Sequence, residues 1–193
     1  MKLILASASP RRAEILKSAG IPFEVRVANI DELRRAKESP GDMVARLARE
    51  KAEAAAREIS SNEAAIILGA DTVVFADSDI FGKPANLQDA RAMLRKLRGR
   101  EHQVMSGIAA LRLPDRAMSC GVETTRVWFA DMSEAEVEAY LASGEPMDKA
   151  GAYAIQGTAG RYITRIDGCY FNVVGLPLAR VWQALKELGW PGA

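Results

Sequence analysis

The chain has 193 residues, enough for one substantial core, and its 49% hydrophobic and 26% charged residues are the proportions of an ordinary soluble globular protein. Lys and Arg total 26 against 25 Asp and Glu, a formal net charge of +1, which argues against bulk nucleic-acid binding but allows a small anionic ligand held by a local cluster. No run approaches membrane-spanning length, the N-terminal apolar stretch is too short for a signal segment, and Cys120 and Cys169 lack metal-ligand spacing, so the expected setting is the cytoplasm with both thiols free.

Leu3-Ile4-Leu5-Ala6 reads as a strand, and Ser7-Ala8-Ser9-Pro10-Arg11-Arg12 as the turn into a helix over 10–19 that stops at Gly20. Ser9 suits the N-cap and Pro10 the first helical position, where no N–H is needed. Residues 23–27 alternate as a strand should, and a longer helix over 41–59 is entered after Ser39-Pro40. Ile66-Ile67-Leu68 opens a buried strand whose apolar character continues through Val73-Val74-Phe75 to a turn at Asp77-Ser78-Asp79. A helix over 86–98 has Asn86 as cap and Gly99 as stop. Strands follow around 104–113 and 123–129, with Pro114-Asp115 at the turn between them. Ser133 and Glu136 make a capping box for a helix ending near Gly144. A glycine-rich loop at 151–160, a hairpin turning at Asp167-Gly168 and a closing helix over 176–188 complete the chain. This interleaving, with two hairpins, predicts an α/β fold: a mixed sheet with helices on its faces, forming one domain of two lobes over 1–193.

Several residues do not belong where the pattern puts them. Arg11 and Arg12 fall in the first turn of a helix, whose N-terminus already carries partial positive charge. Alone they read as a solvated turn; with the strand before them and two serine hydroxyls beside them, they read as a polyanion site, phosphate first. Lys51 lies on the apolar stripe of Val44, Leu47 and Ala48, where a lysine needs an exit to water or an anionic partner. Snorkelling at the stripe's edge is the other reading. Asp71 interrupts an apolar strand, which is costly unless the carboxylate binds a cation, accepts good hydrogen bonds or opens into a cleft. Gly69 and Ala70 leave room there for close approach of a ligand. The competing reading is a turn aspartate capping local N–H groups.

Gly82-Lys83-Pro84 places a lysine in a constrained turn, and Asp148–Gly157 is a loop with a charged entrance at Lys149, one aromatic, and in Gln156 an amide able to read a base edge. Asp31-Glu32 could help hold a divalent cation. His102 is the only histidine and reads as structural, so no Ser-His-Asp or Cys-His machinery involves more than this residue, and no GxxxxGK[ST] phosphate loop occurs.

Taken together, Ser7–Arg12, Asp31-Glu32, Arg46-Leu47-Ala48-Arg49-Glu50-Lys51-Ala52, Gly69-Ala70-Asp71-Thr72-Val73, Lys83-Pro84, Asp148–Gly157 and Asn172-Val173-Val174-Gly175-Leu176-Pro177 resemble, in order, the motifs of the Maf family of nucleoside triphosphate pyrophosphatases. The resemblance implies a two-lobed mixed sheet with a cleft between lobes, of the Maf/ITPase-like kind, and, as in many members, a homodimer. It implies hydrolysis between the α and β phosphates to the monophosphate and pyrophosphate. It also implies Asp71 as proton acceptor, Ser7, Arg11, Arg12, Lys51 and Lys83 as triphosphate ligands, and Mg²⁺ or Mn²⁺ held with help from Glu32 and Asp71. Members acting on dTTP and UTP look like this chain at Arg12, Thr72 and Gln156, whereas the 7-methyl-GTP branch differs at each place. Gln156 both donates and accepts, which suits the O4/N3–H edge of uracil or thymine. Lys149 and Thr72 complete the expected substrate contacts. A second enzymatic reading keeps the chemistry and takes 7-methyl-GTP or other noncanonical nucleotides; a reading of another class is a nucleotide-binding regulator of septum formation, after the association that gave the family its name. Catalysis is favoured over it because pure binding does not require Asp71 to sit unpaired beside phosphates.

Overall fold

The computed structural model describes residues 1–27, 29–60 and 63–192. Its strands are β1 (Lys2–Leu5), β2 (Glu24–Val25), β3 (Ala65–Ala76), β4 (Asp79–Phe81), β5 (Glu101–Leu113), β6 (Met118–Phe129) and β7 (Ile163–Asp167). Its helices are α1 (Pro10–Ser18), α2 (Pro40–Ala56), α3 (Leu87–Leu97), α4 (Glu134–Ala142), α5 (Tyr170–Val174) and α6 (Leu178–Glu187). The strands form one seven-stranded sheet in the order β2-β1-β3-β5-β6-β7, with β4 paired to β3. β1 runs parallel to both β2 and β3, while β4 on β3 and β7 on β6 are antiparallel, so the sheet is mixed as the interleaved pattern implied.

The chain divides into two compact units, the first made of Met1–Asp71, Ser106–Glu123 and Gly175–Ala193, the second of Thr72–Met105 and Thr124–Val174. In the first, Ile4, Ile67 and Leu111 pack against a row of alanines on α2, among them Ala48, Ala52 and Ala55. Small residues on the helix meet glycines on the strands. A Cβ at Gly69 would lie 2.1 Å from the carbonyl oxygen of Ala48 and 2.8 Å from the amide nitrogen of Ala52. One at Gly107 would lie 2.2 Å from the carbonyl oxygen of Val44. The room beside Gly69, read from the sequence as space for a ligand, is therefore filled by the backbone of α2. The second unit closes around aromatic rings: Phe129 stacks on Tyr162 at 6.1 Å and meets Tyr153 edge-on at 5.3 Å, within a core that includes Val74, Leu94 and Val137.

The caps follow the sequence closely. Ser9 accepts from the backbone N–H of Arg12 with Pro10 at the first helical position, Asn86 accepts from Asp89, and Ser133 with Glu136 completes the capping box of α4. Other expectations are corrected as well. The strand expected over 23–27 pairs only at Glu24–Val25, a short, exposed edge. The helix expected over 41–59 ends at Ala56. The hairpin expected at Asp167-Gly168 does not form: after β7 the chain turns at Gly168 (φ 128°) into α5. The physical reason is Asn172, fully buried, which needs partners inside the second unit and finds them by donating to the carbonyl of Val104 and to Thr125 Oγ1. A strand pairing next to β7 would not bring that amide to those acceptors.

Because Gly69 is pressed against helix backbone and no flexible side chain can yield, Gly69→Ala is expected to destabilise the protein by about 3 kcal/mol, the upper end of overpacking costs. Urea unfolding of the two proteins measures this; an unchanged midpoint would mean that α2 is free to move off the sheet.

Candidate active site

The strand-to-helix turn after β1 builds its own cation holder. Ser7, buried, accepts from Ser9 N–H at 3.2 Å and from Arg12 Nη1 at 3.1 Å. Arg12, on the first turn of α1, is also buried; its Nη1 donates to the carbonyl of Ala70 at 2.8 Å and its Nε to that of Gly175 at 2.9 Å. Gly175 has φ 126°, so the backbone there turns in a way that L side chains rarely adopt. Burial lowers the Arg12 guanidinium from its ordinary value, against the opposing pull of Asp71 and Glu32, and Arg11 adds to the lowering. Arg11, on the same turn, is half-buried.

Lys51 reaches the same neighbourhood from α2. Its side chain is 9% exposed, and its ammonium lies 2.7 Å from Asp71 Oδ1 and 2.7 Å from Glu32 Oε1. The anionic partner demanded by its place on the apolar stripe is thus a pair of carboxylates, and snorkelling to open water is not what it does. Asp71 (11% exposed) is set deep on β3, two residues beyond Gly69, whereas Glu32 (59% exposed) comes from a loop. Asp71 is accordingly not unpaired, which removes the argument for catalysis that rested on its being so.

The loop that carries Glu32 is clamped to α2 by a group that the sequence reading passed over. Arg46 takes both oxygens of Glu38, Nε to Oε1 at 2.6 Å and Nη2 to Oε2 at 2.8 Å, and also donates to the carbonyl of Leu33 and to Glu50. The hydrogen bonds from Arg46 hold the Glu38 carboxyl down to about 2, so the clamp stays charged across the physiological range. Its signal in the sequence was an arginine on the buried side of a helix, the same signal that exposed Lys51.

The remaining expected residues lie in the second unit, beginning with Thr72, which follows Asp71 directly in β3 and is half-buried. Lys83 is exposed on a bend next to Gly82, whose carbonyl accepts from Gly151 N–H at 3.1 Å, so that bend and the 149–152 segment are joined. The Lys149 ammonium donates to the carbonyl of Glu145 at 2.6 Å and to Asp148. Gln156 is exposed at the corner of a turn closed by Gly157 N–H onto the carbonyl of Ala154 at 3.1 Å. The Glu145 carboxylate sits under that corner. Oε1 accepts from Tyr140 Oη at 2.9 Å and Oε2 from Thr158 N–H at 3.0 Å. Burial pushes its carboxyl up, and the hydrogen bonds from Thr158 and Tyr140, with Lys149, more than reverse this, leaving it below its ordinary value.

Within the first unit, a buried guanidinium and an ammonium between two carboxylates are gathered around Asp71. The Maf-like protein family matches residues 2–188. The chain belongs to the Maf family. It is similar to a protein of Vibrio cholerae serotype O1 (strain ATCC 39315 / El Tor Inaba N16961) named dTTP/UTP pyrophosphatase, 49% identical over 187 residues that cover 96% of this chain and 97% of the relative. A protein of the same name from Geobacillus sp. (strain WCH70) is 47% identical over 189 residues, covering 98% and 99%. Among solved structures, the Staphylococcus aureus Ham1 protein overlays 96% of this chain and 100% of its own with a TM-score of 0.48 at 17% identity, a likeness too distant to carry argument.

His102, expected to be structural, is buried. It lies within β5, not ahead of a strand, and its Nε2 shares a 2.6 Å hydrogen bond with Tyr153 Oη. Nδ1 has no hydrogen-bond partner among the described residues. Burial pushes His102 from its usual 6.5 down to about 4. Above pH 6.5 the folded and unfolded chains are both neutral there and the full stability is present; as pH falls from 6.5 toward 4, only the unfolded chain takes up the proton. About 2 kcal/mol should be lost through this group by pH 5. Urea midpoints at pH 8 and pH 5 should therefore fall further apart in the parent than in His102→Gln; equal slopes would show that His102 does not titrate in this way.

Proposed function

We propose that this Maf protein hydrolyses dTTP and UTP between the α and β phosphates, giving the monophosphate and pyrophosphate. The observation that carries the chemistry is the Asp71–Lys51–Glu32 cluster beside buried Arg12. The base preference is supported by the names of the relatives and by Gln156, exposed at its turn. In this reading Asp71 is the general base: Lys51 holds Oδ1, and Oδ2 accepts a proton from the water whose oxygen bonds to the α phosphorus as the bridging oxygen leaves with pyrophosphate. Ser7, Arg11, Arg12, Lys51 and Lys83 hold the phosphates, and Thr72, Lys149 and Gln156 contact the rest of the nucleotide, in keeping with the family resemblance.

A divalent ion, Mg²⁺ or Mn²⁺, fits this donor set. Asp71 and Glu32 are hard oxygen donors that already converge on one cationic point at 2.7 Å each. No group of three or more His, Cys, Asp or Glu that could hold a metal occurs among the described residues. An ion here would thus complete its shell from phosphates and water, as Mg²⁺ does. When bound, it supplies neutralisation of phosphate charge. Charge balance agrees with it: the two carboxylates offset Lys51 and Arg12, which leaves Arg11 and Lys83 among the named phosphate ligands to oppose the charge of a triphosphate. A homodimer, on the family resemblance, and a cytoplasmic setting, on the cysteine usage, complete the proposal; no helix among the described residues is long and apolar enough to cross a membrane.

Pyrophosphate release should be measured with dTTP, UTP, CTP, dATP, GTP, ITP and 7-methyl-GTP, with Mg²⁺ or Mn²⁺, in the parent and Asp71→Asn. Selective turnover of dTTP and UTP is expected, falling by about 10²- to 10⁴-fold in the variant while calorimetric binding of dTTP persists. Equal turnover would remove Asp71 from the base role, and binding without turnover of any nucleotide in the parent would bring the regulatory reading forward.

A further inference from the structure

Gln156 is exposed and sits on a turn, yet discrimination between bases requires its amide to be held in place. What fixes that corner is unusual. A Cβ on Gly157 would lie 2.0 Å from Glu145 Oε1 and 2.7 Å from Oε2, so the carboxylate occupies the space that any side chain at 157 would take. Gly157 does not need its freedom for a left-handed conformation, since its φ is −102°. The glycine is there to let a carboxylate reach the backbone. That carboxylate is secured from both sides, by Tyr140 Oη and by Thr158 N–H. Tyr140 is itself a core residue of the second unit, only 1% exposed, and its hydroxyl links the corner to α4. On the other flank, Tyr153 is buried and tied to His102. The segment between these two anchors is short and contains Gln156.

We infer that Glu145 is a positioning residue for base recognition, clamping Gly157–Thr158 onto α4 so that the adjacent Gln156 amide meets the pyrimidine edge in one orientation. This rests on the reading of Gln156 as the residue that distinguishes the base. Glu145 touches neither the phosphates nor the reacting atoms in this assignment. Its loss should therefore blur selectivity more than it slows hydrolysis. A merely structural glutamate would, by contrast, weaken the use of every nucleotide alike.

The test measures kcat/KM for dTTP and CTP in the parent, Glu145→Ala, Gln156→Ala and the double variant. The dTTP-to-CTP ratio should fall about tenfold or more in Glu145→Ala, through a raised KM for dTTP with kcat within a few-fold. The double variant should have the same ratio as Gln156→Ala, because the clamp has nothing left to position. An unchanged ratio in Glu145→Ala, or a double variant whose losses simply add, overturns the inference while leaving the Gln156 reading in place. An unchanged ratio in Gln156→Ala overturns the reading and the inference together. Should Glu145→Ala fail to fold, Glu145→Asp, which keeps the charge but is one methylene too short to hold both donors, gives the same comparison.

Discussion

The approach of α2 to the sheet is the constraint on which the candidate site depends. Backbone meets strand at Gly69, with Ala48 and Ala52 on the helix side, and the same strand carries Asp71 two residues further on. Successive side chains of a strand alternate between faces, so Gly69 and Asp71 share one face and α2 lies across it. Lys51, one turn beyond Ala48, then has no route except toward Asp71. A larger residue at position 69 would lift the helix, and the ammonium with it. The ion pair at 2.7 Å is thus set by packing, and the chemistry inherits its precision from alanine and glycine.

A second consequence concerns cost. Burying a lysine and an arginine is expensive unless each is met by partners of fixed geometry. Arg12 meets two carbonyls and a hydroxyl, that of Ala70 from within β3 and the others from turns, and Lys51 meets two carboxylates. The two carboxylates are not equivalent. Asp71 belongs to a strand, while Glu32 belongs to a loop tied down by the Arg46–Glu38 pair, whose side chains are themselves nearly enclosed. Enclosure matters here, because an exposed pair of this kind would hold a loop only weakly. The motif around Lys51 therefore contains two separate devices: Lys51 enters the site, and Arg46 keeps the acidic loop beside it.

Much of this was legible in the chain. Residues whose chemistry contradicts their place stand out: Lys51 and Asp71 because burial of charge is rare, and Arg12 because a cation opposes the dipole at a helix N-terminus. Helix caps were legible because they rest on a single local hydrogen bond. The short helix α5 was not, since β-branched and aromatic residues at 170–174 favour a strand and only the distant partners of Asn172 decide otherwise. The meaning of Gly69 was read in the wrong direction for the same reason: sequence shows that something comes close, but not whether it is a ligand or a helix.

Glycine at 157 poses that question again, and there the answer is a carboxylate. The glycines at 69, 107 and 157 are needed for space and none of them for positive φ. In two cases the space admits helix backbone and rigidifies the site from below. In the third it admits Glu145 and rigidifies an exposed corner that could not otherwise hold a side chain still. An exposed loop discriminates between ligands only to the extent that something removes its conformational freedom before the ligand arrives. A buried anchor linked by hydrogen bonds to the backbone beside the recognising residue does this without touching the ligand, and so leaves the side chain of Gln156 available to it.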